Sequence, residues 1–326
     1  MKQDSLYPWL QDNWRHLTAY IAQQRIPQAL LIQAGPGLGM LHLAESYAQA
    51  LLCERPTEEY FACGGCHGCR LFAAGTHPDY LFIEPEESGK AIGIDSIRQL
   101  INKLALKPQY PMHRCIVINS ADSLNNAAAN AFLKCLEEPT ERTSIVLLAE
   151  NPAKLPATIR SRCQLMTIAP PDTVVTLDWL KQYRIDADAD LLRMAQGAPL
   201  RAKDYAERNL LAVHETYLND WLKLARGQGN AVQLAERWQK QEAVSLSEVL
   251  SWMAQWLVII VKCAYRADCD IGQHSALQEL SKRLDLLQVY RFYDVLLSSI
   301  QKLDTQLNKQ LMIEYILIEW SRLNKR

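Results

Sequence analysis

The stretch Gln33-Ala34-Gly35-Pro36-Gly37-Leu38-Gly39-Met40-Leu41 decides the fold class of this 326-residue chain. The apolar run Ala29-Leu30-Leu31-Ile32 precedes it and a helical pattern follows it, so strand, glycine-rich turn and helix succeed one another. A phosphate-binding loop requires this order, because the turn presents backbone N–H groups at the N-terminus of a helix. The sequence therefore predicts an α/β domain of the P-loop NTPase type.

The groups that perform phosphate chemistry are missing from this loop. In the pattern G-x-x-x-x-G-K-[ST], Gly39 takes the second glycine position, Met40 the lysine position and Leu41 the hydroxyl position. Met40 has no ammonium for the terminal phosphates, and Leu41 has no hydroxyl for Mg²⁺. We expect Gly35, Gly37 and Gly39 to keep the turn without productive ATP binding. An ordinary strand-to-helix turn is the alternative on this stretch alone.

The end of a later strand lacks the second set of catalytic groups. The run Cys115–Ile118 is followed by Asn119, Ser120 and, three positions after Asn119, Asp122. An ATPase of this class needs an acidic residue for Mg²⁺ at the strand end and usually a glutamate that polarises water. Asn119 is neutral, Ser120 is not a base, and Asp122 is displaced. Lysine, metal carboxylate and base are all absent, so we expect no ATP hydrolysis.

Composition and charge limit the function classes. The first 168 residues contain 15 basic and 16 acidic residues and the remainder 20 of each, so bulk charge does not favour autonomous nucleic-acid binding. The polar, aromatic N-terminus does not resemble a signal peptide. The most apolar run, Trp252–Ala264, is shorter than a bilayer-spanning helix. We expect a cytoplasmic protein without membrane contact, with DNA contact only through an assembly.

Four of the nine cysteines form a cluster with metal-ligand spacing. Cys53, Cys63, Cys66 and Cys69 follow the pattern C-x9-C-x2-C-x2-C, and the intervening glycines allow a tight turn. Without a secretory segment, cysteines favour metal binding over disulfide bonds. Four thiolates predict a closed structural zinc site. A redox C-x-x-C pair explains only two of the four, iron–sulfur ligation is another alternative, and a nearby histidine is a possible replacement ligand.

The chain divides by its hydrophobic patterns into three expected domains. Strands alternate with helices up to residue 168, which predicts a largely parallel sheet covered on both faces. The expected strands are Ala29–Ile32, Tyr80–Ile83, Cys115–Ile118, Ser144–Ala149 and Gln164–Ile168. Short helices are expected in 169–209, and long amphipathic helices, interrupted at Asp268–Gln273, in 210–326.

Three segments of the first domain resemble the bacterial clamp-loader family of AAA+ proteins. They are Asn130-Ala131-Phe132-Leu133-Lys134-Cys135-Leu136-Glu137-Glu138-Pro139, the strand Ile145–Ala149, and Ile159-Arg160-Ser161-Arg162-Cys163. The segment Thr76–Asp79, the cysteine insertion and the degenerate loop agree with this resemblance. It implies an AAA+ domain with a zinc-binding insertion (1–168), a helical lid domain (169–209) and an all-α collar that mediates oligomerisation (210–326).

The resemblance also implies a function in DNA replication. Clamp loaders are five-subunit rings that open the sliding clamp and place it on primed DNA for the DNA polymerase III holoenzyme, a DNA-directed DNA polymerase. The implied partners are the ATPase (motor) subunits and the delta subunit of the loader. The clamp and primer–template DNA would be reached through the complex.

The Ser-Arg-Cys motif of the family falls on Ser161, Arg162 and Cys163, and its arginine reaches the ATP of the adjacent subunit. A guanidinium suits this role because it is always charged and forks onto phosphate oxygens. The resemblance therefore implies that Arg162 is an arginine finger acting in trans and that the chain is a non-hydrolysing stator. An ordinary surface arginine is the alternative, and Arg160 is the near neighbour.

Two positions depart from the active members of the family. The segment Ala149–Pro152 is one residue short where they carry a nucleotide-sensing polar residue, and Leu200 occupies the register of a phosphate-sensing arginine, with Arg201 one step away. Both departures fit a site released from nucleotide binding. The competing interpretations are an authentic ATPase with an irregular site and a zinc-dependent nucleic-acid-binding module.

Overall fold

The computed structural model describes residues 6–87, 89–138, 140–241, 243–265, 275–303 and 307–323. Pro139 and the interruption expected at Asp268–Gln273 lie outside these ranges. The chain forms two compact units, one comprising Met1–Tyr183 with Gly197–Arg201, the other Arg184–Gln196 with Ala202–Arg326. The three-domain division remains a prediction from sequence.

The first unit contains one five-stranded parallel sheet, as the sequence predicts. Its strands are β1 (Ala29–Gln33), β2 (Tyr80–Ile83), β3 (Arg114–Ile118), β4 (Thr143–Ala149) and β5 (Gln164–Thr167). Their spatial order is β2-β3-β4-β1-β5, with Leu31 opposite Leu147 and Ile116 opposite Ile145. β3 and β4 are buried along their whole length, which explains the apolar runs Cys115–Ile118 and Ile145–Ala149 within them.

Helices cover both faces of this sheet. The helices up to Tyr183 are α1 (Gln11–Ala22), α2 (Met40–Leu52), α3 (His67–Ala73), α4 (Ile94–Leu104), α5 (Asn126–Glu137), α6 (Ala157–Arg160) and α7 (Thr173–Gln182). Alternate residues of a strand enter different cores: Leu30 packs with α1 and α2, whereas Leu31 packs with α4 and α5. The layered α/β architecture places the carboxyl ends of all five strands at one edge.

The described residues after Thr167 form helices and no strand. The remaining helices are α8 (Ala189–Met194), α9 (Pro199–Glu207), α10 (Leu210–Ala225), α11 (Ala231–Gln239), α12 (Leu246–Tyr265), α13 (Ser275–Ser281), α14 (Leu286–Gln301) and α15 (Lys309–Arg322). Tryptophans form much of the second unit's core, where the Trp221 and Trp320 rings stack with centroids 3.7 Å apart.

Helix α12 is longer than the apolar run that the sequence singled out. Its 20 residues are long and apolar enough to cross a membrane by length and composition. Its side chains Trp252, Trp256 and Ile260 are instead buried within the second unit. The apolar character of α12 is therefore accounted for by the core of this unit.

Candidate functional site

The glycine-rich loop connects β1 to α2 in the order that the sequence predicts. Gly37 and Gly39 have φ values of +80° and +85°, the left-handed region that glycine adopts without steric cost. Gly39 is the N-cap of α2, so the turn ends where a phosphate-binding loop would meet its helix. Met40 and Leu41 pack against the hydrophobic core, and they offer neither the ammonium nor the hydroxyl with which a phosphate-binding loop contacts its ligand.

The start of α9 lies directly against this loop. The backbone N–H of Leu200 donates to the carbonyl oxygen of Gly37 over 3.1 Å. A methyl group added at Gly37 would lie 2.8 Å from Cβ of Arg201 and 2.9 Å from its backbone nitrogen. The sequence left the direction of Arg201 open, and the structure places this residue on the loop.

Aromatic residues near the N-terminus cover another part of the loop. The indole nitrogen of Trp9 donates to the carbonyl oxygen of Leu38 over 2.9 Å, and a Cβ at Gly39 would lie 2.9 Å from the Tyr7 ring. The Tyr7 and Trp9 rings stack with centroids 4.9 Å apart. Sequence reasoning noted these aromatics only as evidence against a signal peptide. Their contact with the loop depends on tertiary packing.

The carboxyl ends of β3 and β4 complete this edge of the sheet. The Asn119 N–H donates to the Ile83 carbonyl over 2.8 Å, and Ser120 has a left-handed backbone with φ +56°. The Asp122 carboxylate accepts the N–H of Asn151 over 2.9 Å and so joins the two segments that follow these strands. Asp122 therefore makes a structural hydrogen bond, and it lies three residues beyond Asn119, the position where an ATPase would carry its metal-binding carboxylate.

Charges of the chain itself are gathered beside these strand ends. Partial burial raises the pKa of the Glu150 carboxyl, and the neighbouring Asp122 charge raises it further. Arg201 and Lys154 act in the opposite direction by favouring the charged carboxylate. An arginine that lies on the loop thus has an acidic neighbour from the same chain.

The four predicted metal ligands come together at a separate place in the first unit. The sulfur atoms of Cys53, Cys63, Cys66 and Cys69 all lie within 4.8 Å of one another. The Cys53–Cys66 and Cys63–Cys69 sulfur distances are 3.9 and 4.0 Å. A tetrahedral site with Zn–S bonds of about 2.3 Å has sulfur–sulfur edges of about 3.8 Å, so the cluster fits one such ion.

The backbone around the cluster favours thiolates. The N–H of Cys63 points to the Cys53 sulfur over 3.3 Å, and the N–H of Cys69 points to the Cys66 sulfur over 3.4 Å. Hydrogen bonds from the N–H groups of Gly65 and Cys66 lower the pKa of Cys63 to about 6. Burial raises the pKa of Cys53 and Cys69 in the absence of a cation, so the capacity of the four cysteines to hold a metal ion rests on the close grouping of their sulfur atoms.

Cysteines outside the cluster differ in state. Cys115, Cys135 and Cys163 are free thiols. Cys263 is buried on α12 and is disulfide-bonded.

Arg162 lies in the connection between α6 and β5. One terminal nitrogen donates to the Thr158 carbonyl over 3.0 Å, and the other pairs with a Glu137 carboxylate oxygen over 2.7 Å. The Arg162 side chain is 38% exposed. Arg162 is thus a partly exposed guanidinium held by groups from α5 and α6.

The sheet order, the loop between β1 and α2 and the strand-end positions define an AAA+ type P-loop domain with altered catalytic groups. A family model described as DNA polymerase III, delta subunit, matches residues 9–172, and one described as its C-terminal part matches residues 208–322. The chain is 32% identical to DNA polymerase III subunit delta' of Pseudomonas aeruginosa, with 98% of each chain covered. The chain therefore belongs to the family of DNA polymerase III delta' subunits.

Two further comparisons are similar in kind. The delta' subunit of Escherichia coli is 39% identical over 59% of this chain and 58% of that protein. A solved DNA polymerase III gamma subunit-related protein from Thermotoga maritima has a TM-score of 0.47 and 18% identity, covering 97% of this chain and 100% of that one.

Proposed function

We propose that this chain is the non-hydrolysing stator of a clamp loader and supplies Arg162 to the ATP site of a neighbouring subunit. Its partners are then the ATPase subunits and the delta subunit of the loader, with the sliding clamp and primed DNA engaged through the complex. The protein works in the cytoplasm, where replication proceeds. The observation that carries the proposal is the placement of Arg162 relative to the chain's own loop.

Arg162 lies at the amino ends of the parallel strands, and the degenerate loop lies at their carboxyl ends. In the register of the parallel pair β1–β5, Leu30 lies opposite Gln164, and Arg162 precedes Gln164 by two residues. The loop follows Gln33 at the other end of β1. The five residues of β1 span about 16 Å, so a phosphate bound by Arg162 would come from outside this chain.

The loop itself supports the part of the proposal that this chain does not hydrolyse ATP. It has Met40 and Leu41 where lysine and hydroxyl are needed, and Asn119 where a metal carboxylate is needed. The Gly37 carbonyl is occupied by Leu200, and the Gly39 backbone is packed against Tyr7. Among the described residues, the loop and the end of β3 therefore lack the lysine, the hydroxyl and the metal carboxylate of an ATPase. Other parts of the same chain already contact the loop.

For the cysteine cluster we propose a structural zinc ion. All four ligands come from one chain segment, and four sulfurs leave no open coordination position for a substrate. A zinc-filled cluster would fix the insertion between α2 and β2 without taking part in phosphate chemistry.

The proposed lack of ATP hydrolysis is tested with the purified chain and radiolabelled ATP in the presence of Mg²⁺. We expect no turnover above the protein-free rate and no saturable binding at millimolar ATP. Stoichiometric binding with turnover would instead support an ATPase with an irregular site. Binding of primed DNA by the isolated chain at physiological salt would support a nucleic-acid-binding module.

The proposed action of Arg162 at the ATP site of a neighbouring subunit is tested in the reconstituted loader with Arg162→Ala. Arg160→Ala serves as the matched control. Arginine fingers are worth about 10³–10⁵-fold in rate, so the site adjacent to this chain should become nearly inactive. The Arg160→Ala loader should retain the wild-type rate of ATP hydrolysis, because Arg160 is an exposed arginine two residues before Arg162 and is not the proposed finger.

A further inference from the structure

We propose that Glu137 is the positioning residue for Arg162: its carboxylate sets the direction in which the guanidinium leaves the surface toward the neighbouring ATP. This inference rests on the proposed function, because it concerns how the finger is held. Glu137 does not itself contact ATP in this account.

The contact is a charge-assisted hydrogen bond between two elements. Glu137 is the last residue of α5, and Arg162 follows α6, 25 positions later in the chain. The 2.7 Å separation between Nη2 of Arg162 and Oε1 of Glu137 is at the short end for such bonds. The Thr158 carbonyl accepts from Nη1 over 3.0 Å. Two anchors on different nitrogens fix the plane of the guanidinium and leave its remaining N–H donors for a phosphate.

Helix stability does not explain a carboxylate at this position. Glu137 stands at the C-terminus of α5, where the partial negative charge of the helix disfavours an acidic side chain. Both partners are substantially exposed, 38% for Arg162 and 49% for Glu137, and such pairs add little to folding stability. The pair is therefore better explained by the orientation it gives to Arg162 than by stability.

The neighbouring residues provide a contrast within the same segment. Glu138 directly follows Glu137, and Arg160 precedes Arg162 by two residues. Neither Glu138 nor Arg160 forms an ion pair with another described residue. Of the two acidic residues that end this helical segment, Glu137 is the one directed at Arg162. Glu138 is therefore a matched control.

Positioning matters because the finger has to reach phosphate oxygens with correct geometry. A long arginine side chain loses rotamer entropy when it becomes fixed, and a residue that fixes it beforehand removes that cost from the reacting complex. A displacement of about 1 Å in a catalytic constellation can cost about 10²-fold in rate. Loss of the Glu137 contact should therefore lower kcat at the adjacent site more than it raises KM for ATP.

The experiment compares Glu137→Gln and Glu138→Gln in the complete reconstituted loader, each alone and combined with Arg162→Ala. Assembly is checked by sizing, and ATP turnover is measured with clamp and primed DNA. We expect Glu137→Gln to lower kcat at the adjacent site by about 10- to 100-fold and Glu138→Gln to have no effect. In the Arg162→Ala background, Glu137→Gln should cause no further loss, because its effect passes through the arginine.

A second variant and a folding readout separate positioning from a structural role. Glu137→Asp keeps the charge but shortens the side chain, so its kcat should lie between the wild type and Glu137→Gln. Thermal unfolding of the isolated chain should be unchanged in all three acidic variants. An unchanged or increased kcat in Glu137→Gln, with Arg162→Ala still defective, would overturn the positioning inference alone. An undiminished rate in Arg162→Ala would overturn the proposed function as well.

Discussion

Gly37 shows at the residue scale how the loop keeps its shape after its catalytic groups have been replaced. Its φ of +80° disfavours any residue with a Cβ, and the start of α9 leaves no room for one. The same two constraints would hold whether or not a nucleotide ever bound. Packing against Arg201 and the left-handed turn therefore both require a glycine here, and Met40 and Leu41 lie partly buried against the core.

Gly37→Ala should destabilise the first unit by about 2–4 kcal/mol, combining about 1–2 kcal/mol for the left-handed backbone with overpacking against Arg201. Gly75→Ala is the matched control, since Gly75 has φ +68° with no atom within 4 Å of an added Cβ. It should cost only the backbone contribution of about 1–2 kcal/mol. Urea unfolding of the two variants measures the difference, and equal losses would show that Arg201 does not crowd the loop.

At the scale of elements, the cysteine cluster joins the end of α2, where Cys53 is the C-cap, to the start of α3. Cys66 is the N-cap of α3, and its sulfur accepts the N–H of Cys69. Gly68 lies so close to the end of α2 that an added Cβ would lie 2.6 Å from the Leu52 carbonyl oxygen. The cluster therefore links the insertion to α2, and its loss should loosen this connection.

Cys66→Ser should remove the single zinc ion that we expect per chain and should lower the melting temperature, because structural zinc sites contribute directly to folding. Plasma mass spectrometry gives the metal content. Cys135→Ser, which alters a buried thiol on α5 outside the cluster, is the control and should keep the zinc. Full zinc content in Cys66→Ser, or no zinc in the wild type, would contradict the proposed metal centre.

Helix α12 begins with a capping box that is tied to an arginine. Glu248 accepts the N–H of Ser245 over 2.9 Å while the Ser245 hydroxyl accepts the N–H of Glu248 over 3.3 Å. Arg208 binds both carboxylate oxygens at 2.8 and 3.3 Å. Burial opposes ionisation of Glu248, but the bonds from Arg208 and Ser245 outweigh it, so its pKa lies below the ordinary 4.5.

Because the folded state lowers this pKa, the contribution of Glu248 is complete above about pH 4.5 and is lost as pH falls through the folded value. Glutamine can keep the capping box but not the charge that Arg208 binds, so Glu248→Gln should lose about 1–2 kcal/mol at pH 7, and the difference from wild type should shrink in acid. Chemical unfolding at pH 7 and pH 3 measures it. The exposed Glu236→Gln on α11 is the control; a pH-independent loss would show that Arg208 and Ser245 do not stabilise the charge.

Much of the element pattern could be predicted from local sequence, and the contacts around the loop could not. The expected strand Cys115–Ile118 is observed as Arg114–Ile118, because a buried parallel strand is a nearly continuous apolar run. The first turns of helix α1, which begins at Gln11, are mostly polar, so an apolar periodicity does not mark where this helix starts. The covering of the loop by Tyr7 and Arg201 joins residues far apart in sequence, so no local periodicity could indicate it.

At the scale of the whole molecule, the parallel sheet separates the glycine-rich loop from Arg162, the residue that we propose as an arginine finger. The loop that would hold a phosphate is at the carboxyl edge of the sheet, and Arg162 is at the amino edge beside α5 and α6. A chain built this way cannot use its own arginine on its own loop. This separation is the reason for our proposal that Arg162 acts on the ATP of a neighbouring subunit.

The most direct test of this account is single-turnover ATP hydrolysis by the complete loader with clamp and primed DNA, comparing wild type with Arg162→Ala at confirmed assembly. In the Arg162→Ala loader, the hydrolysis phase of one site should disappear or slow about 10³-fold or more. Arg160→Ala should leave every phase intact. A wild-type time course from the Arg162→Ala loader would contradict the central claim and reduce this chain to a scaffold.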